Sequence, residues 1–230
     1  MVLLVLLPAS VMKFPAHRRP RAMYRNVGTL FSQIEFLAFL LAAFTSGFSL
    51  GAFNTFLFIF IRDLGGPHVL MGLNITITAL SEAVCLYFSS QAIQKLGHKN
   101  ILNLVVFCYG LRHILYSVIY NPWLSAPVGM LHGICFGLFW PTCTSYVNIV
   151  SPTGMEASVQ SIAHSVYFGL GRGLGMIVGG VIFHTFGSRN MFRFFTVFCS
   201  IVLLLLGLVQ GFTWARRRRP LTLSVQYEEI

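Results

Sequence analysis

An all-α membrane bundle of six transmembrane helices is the fold class this sequence predicts, and three observations predict it. Hydrophobic residues make up 56% of the chain and charged residues only 10%, with a mean hydropathy of +0.75; a soluble domain carries about 25% charged residues. A soluble fold needs a polar exterior, and this composition cannot supply one. The apolar residues also fall into six runs, each near the roughly 20 residues that a helix needs to cross a bilayer. Finally, no stretch alternates with period 2 for long enough to suggest an outer-membrane barrel.

The elements follow in chain order. Residues 1–12, MVLLVLLPASVM, are apolar but too short to span, and no basic segment precedes them; they read either as a weak signal-like stretch or, the reading favoured, as a truncated or wrongly assigned start. They open a basic arm, 1–32, that carries Lys13, Arg18, Arg19, Arg21 and Arg25. The six spans are expected at 37–61, 69–92, 101–120, 126–150, 157–185 and 191–215, within one transmembrane unit, 33–215. The breaks between them, RDLGGPH, QKLGHKN, NPW, SPTGME and HTFGSRN, carry turn chemistry. A basic tail, 216–230, follows and opens with Arg216–Arg219.

The net charge of +10 does not point to nucleic acid, because the basic residues flank apolar runs instead of forming a phosphate-tracking groove. Placing both termini in the cytoplasm puts the arm, the Lys95/Lys99 loop and the tail on the inside. The outside then holds Arg62, Arg189 and Arg193. Two basic ends on one side require an even number of spans, and six meets that requirement. The expected location is an integral, multi-pass one, with the plasma membrane favoured over an organelle. The five cysteines, Cys85, Cys108, Cys135, Cys143 and Cys199, all lie in apolar runs without a CxxC pair, as buried small hydrophobes do.

Ionisable groups at bilayer depth are costly, by about 2.5–3.5 kcal/mol each on insertion scales, and they usually face a protein interior or a wet cavity. Here they are Glu82, Arg112, His113, His132, His164 and Arg172. A carboxylate at depth suits proton coupling, since a dry surround favours its protonated form and an approaching cation the ionised one. Arg112 cannot shed its proton and needs an anion; Glu82 is the acid available at depth, so the two are expected to pair. His132 could donate to a substrate hydroxyl. His113, adjacent to Arg112, points about 100° away from it on a helix. The stretch YFGLGRGLGMIVGGVIFHTFG spaces Gly171, Gly175 and Gly179 four apart, with Arg172 among them, a pattern that lets helices pack closely.

Other motifs carry less. GLGRGLG lacks the dinucleotide spacing and has no strand before it. The sequon Asn74-Ile75-Thr76 lies inside a span, where glycosylation does not reach. No Ser/His/Asp set, HExxH or metal-ligand cluster is found, so neither an enzyme, a metal site nor a cofactor is expected.

Taken together, LSEAVCLYFSSQAIQKLGHKN, YGLRHILYS, NPW, LHGICFGLFWPTCTSYV and the glycine-rich fifth span resemble the major facilitator superfamily. Over about 33–215 the chain resembles the C-terminal half of the major facilitator superfamily domain-containing protein 6 type, in the lactose-permease-like group. The resemblance implies a bundle equivalent to one half of such a transporter. It also implies roles: Glu82 matches the carboxylate where substrate binding meets proton coupling, Arg112 the arginine that helps to drive proton release, and His132 the histidine that contacts the sugar.

Two departures accompany it. Where the group has its proton-accepting carboxylate, this chain has Cys135, and a thiol in apolar surroundings carries protons poorly near neutral pH. Glu82 is then the carboxylate left for coupling. The chain also has no counterpart to the N-terminal half, against which the family builds its site, so the partner is expected to be a missing N-terminal half or a second copy. The expected function is transport of a small polar solute, with or without protons, by alternating access. The alternative is a non-transporting receptor or scaffold derived from a transporter.

Overall fold

Glycines decide where this chain stops being helical. The computed structural model describes residues 30–217; most of the basic arm and nearly all of the tail lie outside the described residues. Within them, positive φ occurs at Gly65 (79°), Gly97 (77°), Gly154 (82°) and Gly187 (82°), a region that costs other residues a Cβ clash. These glycines and the Asn121-Pro122 turn divide the chain into five long apolar helices, each able to cross a bilayer by length and composition. They are α1 (Ile34–Asp63), α2 (His68–Val118), α3 (Pro122–Val150), α4 (Glu156–Phe186) and α5 (Ser188–Arg217). Asn121 starts α3, its side-chain oxygen accepting from the Trp123 N–H at 3.1 Å while Pro122 takes the first position.

The expected spans 69–92 and 101–120 are not separated by a seven-residue loop. They meet end to end in α2 as two helices joined at a kink, where the backbone is non-helical at Gly97 alone (φ 77°, ψ 158°). One residue suffices because the rest of QKLGHKN is tied down as helix: Asn100 donates to the Leu96 carbonyl at 2.9 Å, and His98 meets Ser145 of α3 at 2.9 Å. The chain nevertheless reverses at this glycine. In the first limb, 68–96, Asn74 meets Ser125 and Ser81 meets Gly133, so it runs parallel to α3. In the second, 98–118, His98 meets Ser145, Arg112 meets His132 and Tyr116 meets Ser125, so it runs antiparallel. The two limbs therefore lie antiparallel to each other.

α1 packs against α2, α4 and α5, and its contact with α4 is the closest in the bundle. A Cβ on Gly171 would lie 2.7 Å from the Phe44 carbonyl oxygen, one on Gly175 would collide with the Phe48 carbonyl, and one on Gly179 would press 3.0 Å from the Phe56 ring. Gly47 and Gly51 of α1 answer them, facing the carbonyls of Tyr167 and Arg172. Backbones can approach this closely only where side chains are absent. The pairings rise together along both chains, so α1 and α4 are parallel. α3 and α4 each contain a π-helical stretch, Gly133–Leu138 and Ser165–Gly171.

Polar ties gather at the two ends. At one, Lys99 Nζ reaches Glu35 Oε1 at 2.7 Å, and Asn103 and Gln210 exchange two amide hydrogen bonds of 2.9 and 3.1 Å. At the other, the Arg189 guanidinium lies 4.0 Å from the centre of the Tyr120 ring.

The glycine contact makes a stability prediction. Gly175→Val should cost about 1–3 kcal/mol, as overpacking does, and lower the thermal midpoint of the detergent-solubilised protein. Gly173→Val, whose added Cβ meets nothing within 4 Å, is the matched control. Equal midpoints for the two variants would show that the α1–α4 contact is not tight.

Candidate functional site

The long polar side chains of α2 and α3 meet where the second limb of α2 crosses α1. Arg112 is only 2% exposed, and its four neighbours are unusual for a buried cation. Its guanidinium lies 4.1 Å from the centre of the Phe53 ring, a cation–π contact of about 0.5–2 kcal/mol. Its Nη1 donates to His132 Nδ1 at 3.1 Å. The side chains of Tyr116 and Cys135 also border it, while its Nε–H has no hydrogen-bond acceptor. Because a guanidinium only donates, His132 Nδ1 accepts, and the neutral ring carries its proton on Nε2.

These groups line a cavity of about 240 Å³ bounded by Phe53, Asn54, Leu57 and Phe58 of α1, Asn74, Ile75 and Thr78 of the first limb, Arg112 of the second and His132 of α3. Asn74 is 1% exposed. Its amide donates to Ser125 Oγ at 2.8 Å, and its Oδ1 is left without a donor. Sequence reasoning set Asn74 aside with the sequon and passed over Asn54 and Thr78. The available signal was an amide side chain inside an apolar run, where every hydrogen-bonding group needs a partner.

The expected ion pair between Glu82 and Arg112 is not formed: among the described residues Arg112 makes no ion pair with any carboxylate. The reason is axial position. Asn74 and Tyr116 both bond Ser125 and so share a level in the bundle. From that level Glu82 lies eight residues further along its limb and Arg112 four along its own, so the carboxylate sits about one turn, or ~6 Å, beyond the guanidinium. It continues the cavity-lining stripe of Ile75 and Thr78 at helical spacing, half-buried, with its carbonyl against Gly137 of α3.

The remaining candidates fall elsewhere. Cys135 is fully buried beside Arg112 and is not among the residues that line the cavity. His113 turns away from Arg112's cavity and is fully buried between Phe53 (4.2 Å between ring centres) and Phe195 (5.0 Å). Gly171, Gly175 and Gly179 face α1, whereas Arg172 contributes its carbonyl to that contact and leaves its buried Nε–H without an acceptor. His164 is exposed beside Trp140.

The model of the MFS_1 like family matches residues 7–194. The chain belongs to this family. Membership in the MFS_1 like family makes it one of the major facilitator superfamily, a transporter superfamily. Among its relatives, the mouse "Major facilitator superfamily domain-containing protein 6-like" is 26% identical over 97% of this chain and 36% of its own length. The corresponding protein A of Xenopus laevis is 25% identical over 94% of this chain and 36% of its own length. The maltose permease of Geobacillus stearothermophilus is 28% identical over 80% of this chain and 46% of its own. The chain thus spans about a third of the length of the first of these curated relatives.

The geometry predicts that the two charges act independently on stability. In a double-mutant cycle of Glu82→Gln and Arg112→Gln, read by denaturation in mixed detergent micelles, the coupling should stay below about 1 kcal/mol, toward the low end of what residues in one hydrogen-bond or salt-bridge network show. A coupling of more than about 1 kcal/mol would mean that the carboxylate and the guanidinium do pair.

Proposed function

We propose that this chain is the six-crossing half of a transporter that moves a small polar solute by alternating access. The observation that carries the reading is the cavity at the junction of α1, α2 and α3, where a buried arginine, a histidine and an amide converge on space large enough for a small solute. Polar groups at bilayer depth around a cavity mark a solute path. Arg112 and His132 bind the solute in this reading. Glu82, one turn along the same stripe, is the group whose protonation is linked to it, and Cys135 packs beside the arginine as a non-titrating spacer. The Gly171/Arg172/Gly175/Gly179 stretch forms the close surface along which α4 and α1 shift.

Six crossings follow if each limb of α2 spans the bilayer. At about 1.5 Å per residue, the limbs 68–96 and 98–118 measure about 43 and 31 Å, each enough for the roughly 30 Å of a hydrocarbon core. Parallel packing of α1 and α4 supports the same count, since it needs an even number of reversals between them and the one at Gly97 makes the number even. The Gly97 end then lies in the cytoplasm with the basic termini, in the plasma membrane, and the second wall of the solute path comes from a missing N-terminal half or a second copy of the chain. No catalytic step is assigned.

Single cysteines introduced at Lys95, Pro67 and Asn121 test the topology with a membrane-impermeant maleimide on intact cells. Labels at 67 and 121 should appear from outside and that at 95 only after permeabilisation. Labelling of 67 and 121 from opposite faces would mean that α2 crosses once, and would end the six-crossing reading. For function, Glu82→Gln in proteoliposomes should leave solute binding in place while lowering proton-driven uptake at least about tenfold, the loss expected when a proton-transfer group is removed. Undiminished uptake would remove Glu82 from the coupling.

A further inference from the structure

We infer that the solute is a small monovalent carboxylate, recognised by Arg112, and not a neutral sugar-like molecule. This deepens the transport reading above and rests on it for the word solute, but its own ground is charge. Arg112 is a permanent cation, 98% removed from solvent by the bundle, since 2% of it is exposed, and no described carboxylate pairs with it. Phe53 and His132 solvate the guanidinium without neutralising it. The cavity it lines contains no acidic side chain. A cavity lined by Phe53, Leu57, Phe58 and Ile75 beside a cation that makes no ion pair, with Glu82 about one turn outside its lining, attracts one negative charge, and low surrounding dielectric strengthens that attraction.

The donors also fit a carboxylate head. Arginine presents a planar fork of N–H groups matched to two carboxylate oxygens, and Arg112 gives one Nη group to His132 while lining the cavity. His132, with Nδ1 occupied by the arginine, has an Nε2–H left to donate. Asn54 and Thr78 add polar contacts on the facing walls. One arginine balances one charge, so the hydrogen phosphate dianion, the main form of inorganic phosphate at pH 8, would leave a negative charge uncompensated in the cavity. A neutral sugar would leave the positive charge uncompensated.

The test uses the full chain in lipid nanodiscs at pH 8, with thermal midpoint and tryptophan fluorescence as readouts, and three probes: lactate, lactamide and inorganic phosphate. Lactate and lactamide share size and hydroxyl and differ only in charge and head group. Lactate should raise the midpoint saturably, and lactamide and phosphate should not. Arg112→Gln should weaken lactate binding by about 30-fold or more, the loss typical of removing one partner from a buried charge pair. Should Arg112→Gln fail to fold, Arg112→Lys keeps the charge without the fork and should still prefer lactate to lactamide, at reduced affinity. Equal midpoint shifts from lactamide and lactate, a shift from phosphate in place of lactate, or no shift from lactate at all would each overturn the inference. The transport reading fails separately: lactate that binds to the chain but never accumulates in proteoliposomes, with either candidate partner present, would retain the carboxylate site and remove the transporter. Flux of a neutral solute unaffected by Arg112→Gln would do the reverse.

Discussion

A bilayer offers no hydrogen-bond partner to a peptide group, and the rest of this structure is arranged around that constraint. It forces long uninterrupted helices and confines departures from helical backbone to a few glycines and the ends of spans. It also folds small polar side chains back onto their own helices: Thr45 bonds the Leu41 carbonyl, Ser46 that of Ala42, Thr185 that of Val181 and Thr196 that of Phe192. With side-chain polarity satisfied locally, little is left to hold one helix against another except fit. The α1–α4 contact supplies it through glycines on both partners, where carbonyl oxygens meet bare Cα atoms.

Arg112 departs from that pattern: with Arg172 and both ring nitrogens of His113, it is among the buried groups whose hydrogen-bonding needs are met only in part. Five N–H donors meet a single imidazole acceptor and an aromatic face, and the Asn74 oxygen next to the same cavity is unmatched as well. Unsatisfied polarity at this depth is expensive, and folding alone gives no return for it. The surrounding architecture keeps it in place. Ser125 ties Asn74 and Tyr116 to the start of α3, while Ser81 receives the Gly133 N–H at 3.1 Å at the next level down, so three walls of the cavity are fixed relative to one another before any solute arrives.

Much of this was legible in the residues. Apolar run length and turn chemistry placed the helices to within a few residues, because in lipid those two properties decide nearly everything. The loop QKLGHKN was misread for a physical reason: polar composition marks a break, but how much helix a break consumes depends on tertiary ties such as His98 to Ser145, which no local pattern encodes. The pairing of Glu82 with Arg112 failed similarly. Scarcity of acids identified a candidate partner, whereas axial level in the bundle decides contact, and a phenyl ring and an imidazole were near enough to take the cation instead. Asn74 was passed over since an uncharged amide in a span raises no electrostatic alarm, although its hydrogen-bonding demand there is as strict as that of a charge.

The two ties at the Gly97 end of the bundle differ in kind. Lys99 and Glu35 join α2 to α1 through opposite charges that are 42% and 28% exposed, whereas Asn103 and Gln210 join α2 to α5 through neutral amides. Mobile ions screen the first, with a Debye length of about 8 Å at physiological ionic strength, and leave the second untouched. Rising ionic strength therefore weakens the tie to α1 modestly, since the pair is in contact at 2.7 Å, and leaves the tie to α5 as it is.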